Sequence, residues 1–208
     1  MHIYLLDINP EITKAWQKFF GETNDVTIVT DDFAHFMDTH NVDCVVSPAN
    51  SYGLMDGGYD KAITDYFGKE VQYHVQNKIN KKWYGEQPVG TSISIETNKE
   101  HIVANISGIG NICEPILLIH TPTMRTPEAI IDPRIIYQCM RTTLIEAKAQ
   151  DVNSIVIPAF GGLCGAVSYE LLAYYMFLAY KQIINFKPHD ITWNDAINTR
   201  NQLNFKGE

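Results

Sequence analysis

The chain is short of the residues that would tie it to a metal, a disulfide framework, a bilayer or a polyanion. Only four cysteines, Cys44, Cys113, Cys139 and Cys164, stand in 208 residues. None forms a CxxC pair and none has a histidine at zinc-ligand spacing. No metal site is expected, and the thiols read as free, buried groups of a reducing compartment. No apolar run is long enough to span a bilayer. The opening apolar run ends at Asp7, too short for a signal-peptide core. A cytoplasmic protein is therefore expected, in which the Asn105-Ile106-Ser107 sequon has no meaning. Basic residues are scarce, 16 Lys and Arg against 24 Asp and Glu, for a formal charge of −8. A grip on nucleic acid needs a basic face, so neither nucleic acid nor membrane is expected as a partner. A small phosphate-bearing ligand is not excluded, because backbone N–H groups at a helix N-terminus hold phosphate without Lys or Arg.

There is also no internal repeat, low-complexity tract or linker. One domain over residues 1–208 is expected, with a leading β-α segment over 1–25 and a polar tail over 185–208. What is present alternates between strand and helix patterns. Short apolar runs at 3–6, 26–29, 44–46, 116–119 and 155–157 read as buried strands. An alternating segment at 89–97 and a short run at 102–104 read as two more, with Ser107-Gly108-Ile109-Gly110 as loop. Asn9 and Pro10 offer an N-cap and first residue for a helix running to Phe19, with Gly21 at its end. Short helical spacing follows at 33–37, and a long helix is expected over 60–79, its buried face being Ile63, Tyr66, Phe67, Val71 and Val75. Further helices are expected after Asp132-Pro133, over 169–183 and near 193–201. Strands alternating with helices give an α/β fold whose mixed, mostly parallel sheet is covered on both faces.

In such sheets ligands bind at the carboxyl ends of strands. Two strand-loop-helix junctions stand out. The first reads Ser47-Pro48-Ala49-Asn50 and, after a turn, Gly57-Gly58-Tyr59-Asp60. The second reads Pro158-Ala159-Phe160-Gly161-Gly162-Leu163-Cys164-Gly165. Glycines before a helix let the backbone approach an anion, and the helix start supplies free N–H groups. Successive N–H groups in the second loop form an anion-binding concavity.

Together the two strings resemble the macrodomain family. Ser47-Pro48-Ala49-Asn50 stands where that family has Asn-Ala-Ala-Asn, and Gly57-Gly58-Tyr59-Asp60 where it has a glycine run, a hydrophobic residue and Asp. The second string resembles the family's Pro-Ala-x-Ser-Thr-Gly-x-x-Gly loop. It aligns either with one residue deleted before Gly162-Leu163-Cys164-Gly165, or without deletion and with Leu163 at a glycine position. The resemblance implies a three-layer α/β/α fold and a site for ADP-ribose, as ligand or product, with no cofactor or metal.

In family members that hydrolyse ADP-ribose linkages, the Asn orients the distal ribose and the Asp assists a water at its C1″ atom. These roles fall on Asn50 and Asp60. Asp60 also suits the N-cap or first turn of a helix, where the dipole favours an acid. Ala49, Gly57, Gly58 and Tyr59 would line the ligand from the first loop; Phe160, Gly161, Gly162, Leu163, Cys164 and Gly165 would do so from the second. Asp31, or else Asp32, stands where the family bonds the adenine amino group, and both also suit capping of the helix that follows. Ser47 and Pro48 depart from the motif, and Asp56 puts a carboxylate where many members have glycine. Three functions remain open at this stage. One is a hydrolase acting on ADP-ribosylated acidic side chains or on ADP-ribose-1″-phosphate; the others are a non-catalytic ADP-ribose reader and a structural protein that has kept the fold.

Overall fold

The computed structural model describes residues 1–103 and 112–204, without the side chains of 101–103, 112 and 113. The sequon and the Ser107-Gly108-Ile109-Gly110 segment lie outside the described residues. The elements in order are β1 (His2–Asp7), α1 (Pro10–Phe20), β2 (Val26–Thr30), α2 (Phe33–Thr39), β3 (Cys44–Ser47), α3 (Gly58–Phe67), α4 (Glu70–Trp83), β4 (Ile93–Val103), β5 (Ile112–His120), α5 (Ile135–Ala149), β6 (Ser154–Ile157), α6 (Tyr169–Ile184) and α7 (Trp193–Gln202).

One six-stranded sheet runs in the order β2-β1-β6-β3-β5-β4. All neighbours are parallel except β4, which pairs antiparallel with β5 at the edge. The leading strand lies inside the sheet, hydrogen-bonded to β2 on one side and β6 on the other. Strand residues alternate between two cores. Ile3, Leu5, Cys44, Val46, Ile155 and Ile157 face the layer of α1, α5 and α6, with Trp16, Phe20, Met140 and Met176. Leu6, Val45, Leu118 and Val156 face the layer of α2, α3 and α4, with Phe36, Ile63, Phe67, Val75 and Ile79. The architecture is the three-layer α/β/α sandwich expected from sequence. No described helix is long and apolar enough to cross a membrane.

Three local expectations need correction. The helix expected over 60–79 is two helices, because Gly68 adopts φ +97 between α3 and α4. A left-handed residue cannot continue a right-handed helix, and glycine takes that conformation at no steric cost. The runs expected at 89–97 and 102–104 are not separate strands: 93–97 and 102–103 belong to one strand, β4, which is interrupted by a register shift between Glu96 and Glu100. Gly21 ends α1 in a right-handed conformation, φ −58, and not in the left-handed one its position suggested. The capping signal at the other end of α1 is as expected, the Asn9 side chain accepting from the Glu11 N–H at 3.0 Å.

Candidate functional site

The carboxyl ends of the parallel strands open onto a cleft of about 810 Å³. It is built from the loops after β1, β2, β3 and β6, with Thr123, Met124 and Pro127 from the segment after β5. Four helix starts converge there: Asn9 before α1, Asp32 before α2, Gly57 before α3 and the first residue of α6, Tyr169. Each carries partial positive charge from unpaired N–H groups. Charged side chains have the opposite sign. Asp7, Asp31, Asp32, Asp56 and Asp60 line the cleft, and the described lining contains no Lys, Arg or His. An anion here would be held by backbone, not by side-chain cations.

The first loop brings its expected residues together. Ala49, Asn50, Gly57, Gly58, Tyr59 and Asp60 all line the cleft. Asn50 is nearly buried and closes its own loop. Its Oδ1 accepts from the N–H groups of Tyr52 (3.1 Å) and Leu54 (3.3 Å), and its Nδ2 donates to the Leu54 carbonyl at 2.7 Å. Asp60 does not cap α3, whose N-cap is Gly57 and carries no side-chain cap. The carboxyl is instead 8 % exposed and its Oδ1 accepts from the Ser47 hydroxyl at 2.7 Å. Burial pushes this acid up to about 7; the Ser47 hydrogen bond pulls it down and the Asp56 carboxylate adds to the rise. A buried carboxyl poised between its two forms at neutral pH, in a cleft, has the properties of a general base.

Tyr59 packs edge-on against Phe33, ring centroids 5.3 Å apart, and its buried hydroxyl has no partner among the described residues. Asp32 is the N-cap of α2, accepting from the His35 N–H at 3.0 Å. Asp31 accepts from His35 Nδ1 at 2.6 Å, which holds its carboxyl below the usual range. Both carboxylates line the cleft while making these bonds.

The second loop contributes Gly161, Gly162, Leu163, Cys164 and Gly165. Gly161 has φ +73, and a Cβ on Gly165 would stand 2.7 Å from the Gly161 carbonyl oxygen, so this turn closes only on glycine. Leu163 is 78 % exposed, and its Cδ2 would lie 3.6 Å from a Cβ on Gly58, so the two loops meet across the cleft. Cys164 is exposed, unlike the buried thiols of Cys44 and Cys139, which burial pushes far up.

Phe160 requires a correction. It lines no part of the cleft and is fully buried in the core beneath the sheet. Replacing it by leucine is expected to lower stability by ~1–2 kcal/mol through lost packing, with ligand affinity unchanged; urea unfolding and ligand titration on the same variant check both. Arg125 also stays out of the described lining, paired with Glu86 at 2.7 Å.

The main omission of the sequence reading is the loop after β1. Asp7, Ile8, Asn9 and Ile12 line the cleft, and Asn9 Nδ2 donates to the Tyr169 hydroxyl at 3.0 Å, tying that loop to α6. Burial raises the Asp7 carboxyl, against the backbone N–H of Asn9 at 2.9 Å. The signal was available: a strand running into Asn9-Pro10 is a third junction of the kind that identified the other two.

The family model for the Macro domain matches residues 46–176. The chain belongs to the Macro domain family. An uncharacterized protein of Aquifex aeolicus is 27% identical over 148 residues, covering 71% of this chain and 76% of its own. Among solved structures, the macrodomain of Mycobacterium tuberculosis DarG superposes with a TM-score of 0.58 at 17% identity, covering 75% of this chain and 90% of that one. A mutant of the Oceanobacillus iheyensis macrodomain, solved with ADPR, gives 0.56 at 20% identity over 72% of this chain and 74% of its own. The macrodomain match begins at β3, yet β1 and its loop form part of the same sheet and the same cleft.

Proposed function

We propose that this macrodomain binds ADP-ribose in the cleft and releases it from acidic side chains by hydrolysis. The observation that carries the proposal is the meeting of Asn50, the nearly buried Asp60 and both glycine loops in one cleft at the sheet's carboxyl edge. The O. iheyensis relative solved with ADPR supports the choice of ligand. In this reading the two glycine loops and the start of α3 hold the diphosphate through backbone N–H groups. The adenine amino group meets Asp31 or Asp32. Asn50 spends one amide hydrogen on the Leu54 carbonyl; the other serves a hydroxyl of the distal ribose.

The chemistry is displacement at C1″. A water oxygen bonds to C1″, the C1″–O bond to the acidic side chain breaks, and the departing group leaves as a carboxylate. The water proton passes to the ionised Asp60 and on to solvent. Positioning and a weak base suffice, because the carboxylate is a good leaving group. The lining favours this substrate over ADP-ribose-1″-phosphate. Expelling a phosphate dianion calls for cations around it, and five aspartates with no Lys, Arg or His in the described lining offer the reverse.

The test is release of free ADP-ribose, followed by chromatography, from a glutamate-linked peptide and from ADP-ribose-1″-phosphate. Cleavage of the peptide ester is expected, with the phosphate at least ~10-fold slower, about 1.4 kcal/mol of barrier. Binding without turnover of either substrate would favour a reader. Faster loss of phosphate would reverse the assignment, and absence of binding would leave a structural role for the fold.

A further inference from the structure

We infer that Ser47 is a positioning residue of this site: its hydroxyl fixes the direction of the Asp60 carboxylate and favours its charged form. The inference rests on the hydrolytic reading for its catalytic consequence, but not for its physical content. Ser47 is the last residue of β3 and fully buried, at the point where the motif of the family has asparagine. Its backbone is locked, because its carbonyl accepts from the Thr121 N–H at 3.0 Å and its Cα pairs with His120 across to β5. The side chain therefore leaves a rigid strand at a set angle. Its single hydroxyl hydrogen is spent on Asp60 Oδ1 at 2.7 Å, bridging the sheet to the first turn of α3.

The groups around Asp60 leave that hydroxyl without a substitute. From its own loop Asp56 repels the anion, and Tyr59 beside it is held neutral by burial. From the loop after β1 comes Asp7, and from the loop between β2 and α2 come Asp31 and Asp32, all carboxylates. The second glycine loop contributes no acidic or basic side chain to the lining. From β5, His120 cannot contribute a positive charge. Its Nδ1 is paired with Gln87 Oε1 at 2.9 Å and burial drops its pKa to about 3. Among the described residues, Ser47 is the one side chain that donates to Asp60. What else favours the anion is the N-terminus of α3.

Hydrogen bonding to a charged form stabilises it, so removing the donor raises the pKa. The test is a titration of the Asp60 carboxyl carbon by ¹³C NMR in wild type, Ser47→Ala and Ser47→Cys, read beside the pH–rate profile on the ester substrate. The expected result is a midpoint raised by ~1 unit or more in Ser47→Ala, with a smaller rise in Ser47→Cys because a thiol is a weaker donor. The acid limb of the rate profile should move up with it, while ADP-ribose affinity stays within ~3-fold, since Ser47 lies outside the cleft lining. An Asp60 midpoint unmoved in both variants would overturn the inference. A moved midpoint in a protein that turns over no ester would uphold Ser47 and remove the hydrolytic reading instead.

Discussion

Replacing Asp60 by asparagine is expected to cost ~10²–10⁴-fold in hydrolysis, the usual worth of a positioned general base, while ADP-ribose affinity holds or rises. Asparagine keeps an acceptor for the Ser47 hydroxyl, now 2.7 Å from Asp60 Oδ1, so the first turn of α3 stays in place. It removes one of the five carboxyl groups that line the cleft. Stability should change with a definite sign. The Asp60 carboxyl titrates near 3.8 when the chain is unfolded and about 7 when folded. Below about pH 3 both states are protonated and nothing is lost. As the pH rises towards 7 the unfolded state ionises first, and the native state loses stability until its own carboxyl ionises. At three units and 1.36 kcal/mol each, the upper bound of that loss is ~4 kcal/mol. The asparagine variant should therefore gain on wild type above pH 7 and match it below about pH 3. Denaturant unfolding at the two pH values, with single-turnover kinetics, checks both halves. Unchanged turnover would remove Asp60 from the chemistry.

The second large effect is expected at Gly57. Its φ of −143 and ψ of 161 are ordinary extended backbone, and a Cβ there would meet nothing within 4 Å. Valine suits that backbone, and its methyl groups would project into the open cleft. The variant should unfold within ~1 kcal/mol of wild type, the cost being that of a poorer N-cap for α3. ADP-ribose affinity should fall ~100-fold or more, about 2.7 kcal/mol, because the diphosphate can no longer approach the backbone. Gly165 would not separate these effects, since a side chain there strikes the Gly161 carbonyl and damages the loop itself. Calorimetric titration beside thermal unfolding is the check. Wild-type affinity in Gly57→Val would place the phosphates elsewhere.

The layering of the fold was legible because buried parallel strands and amphipathic helices leave strong periodic marks. The same periodicity concealed the break at Gly68. Phe67 before it and Val71 after it bury against one core, so the apolar face runs on through a backbone that does not. In β4 the opposite happened: one strand looked like two, because the register shift at 96–100 interrupts the alternation. In the site, the spacing of Asn50 and Asp60 and the glycine strings identified the cleft. Side-chain direction was not legible. Phe160 sits between cleft residues in sequence yet points into the core, and Ser47 reaches Asp60 across thirteen residues. The loop after β1 was missed because the family resemblance begins farther along the chain, although the strand order puts Asp7 and Asn9 beside the second glycine loop.

In the function proposed here, backbone N–H groups, without side-chain cations, hold ADP-ribose among carboxylates. The decisive measurement is calorimetric titration of ADP-ribose into the wild-type protein at low and high salt. One site per chain is expected, with affinity that holds or improves as salt rises, because salt screens the repulsion from the aspartates. Affinity that collapses in salt, as an ion-paired ligand's does, or no heat at millimolar ligand, would contradict it.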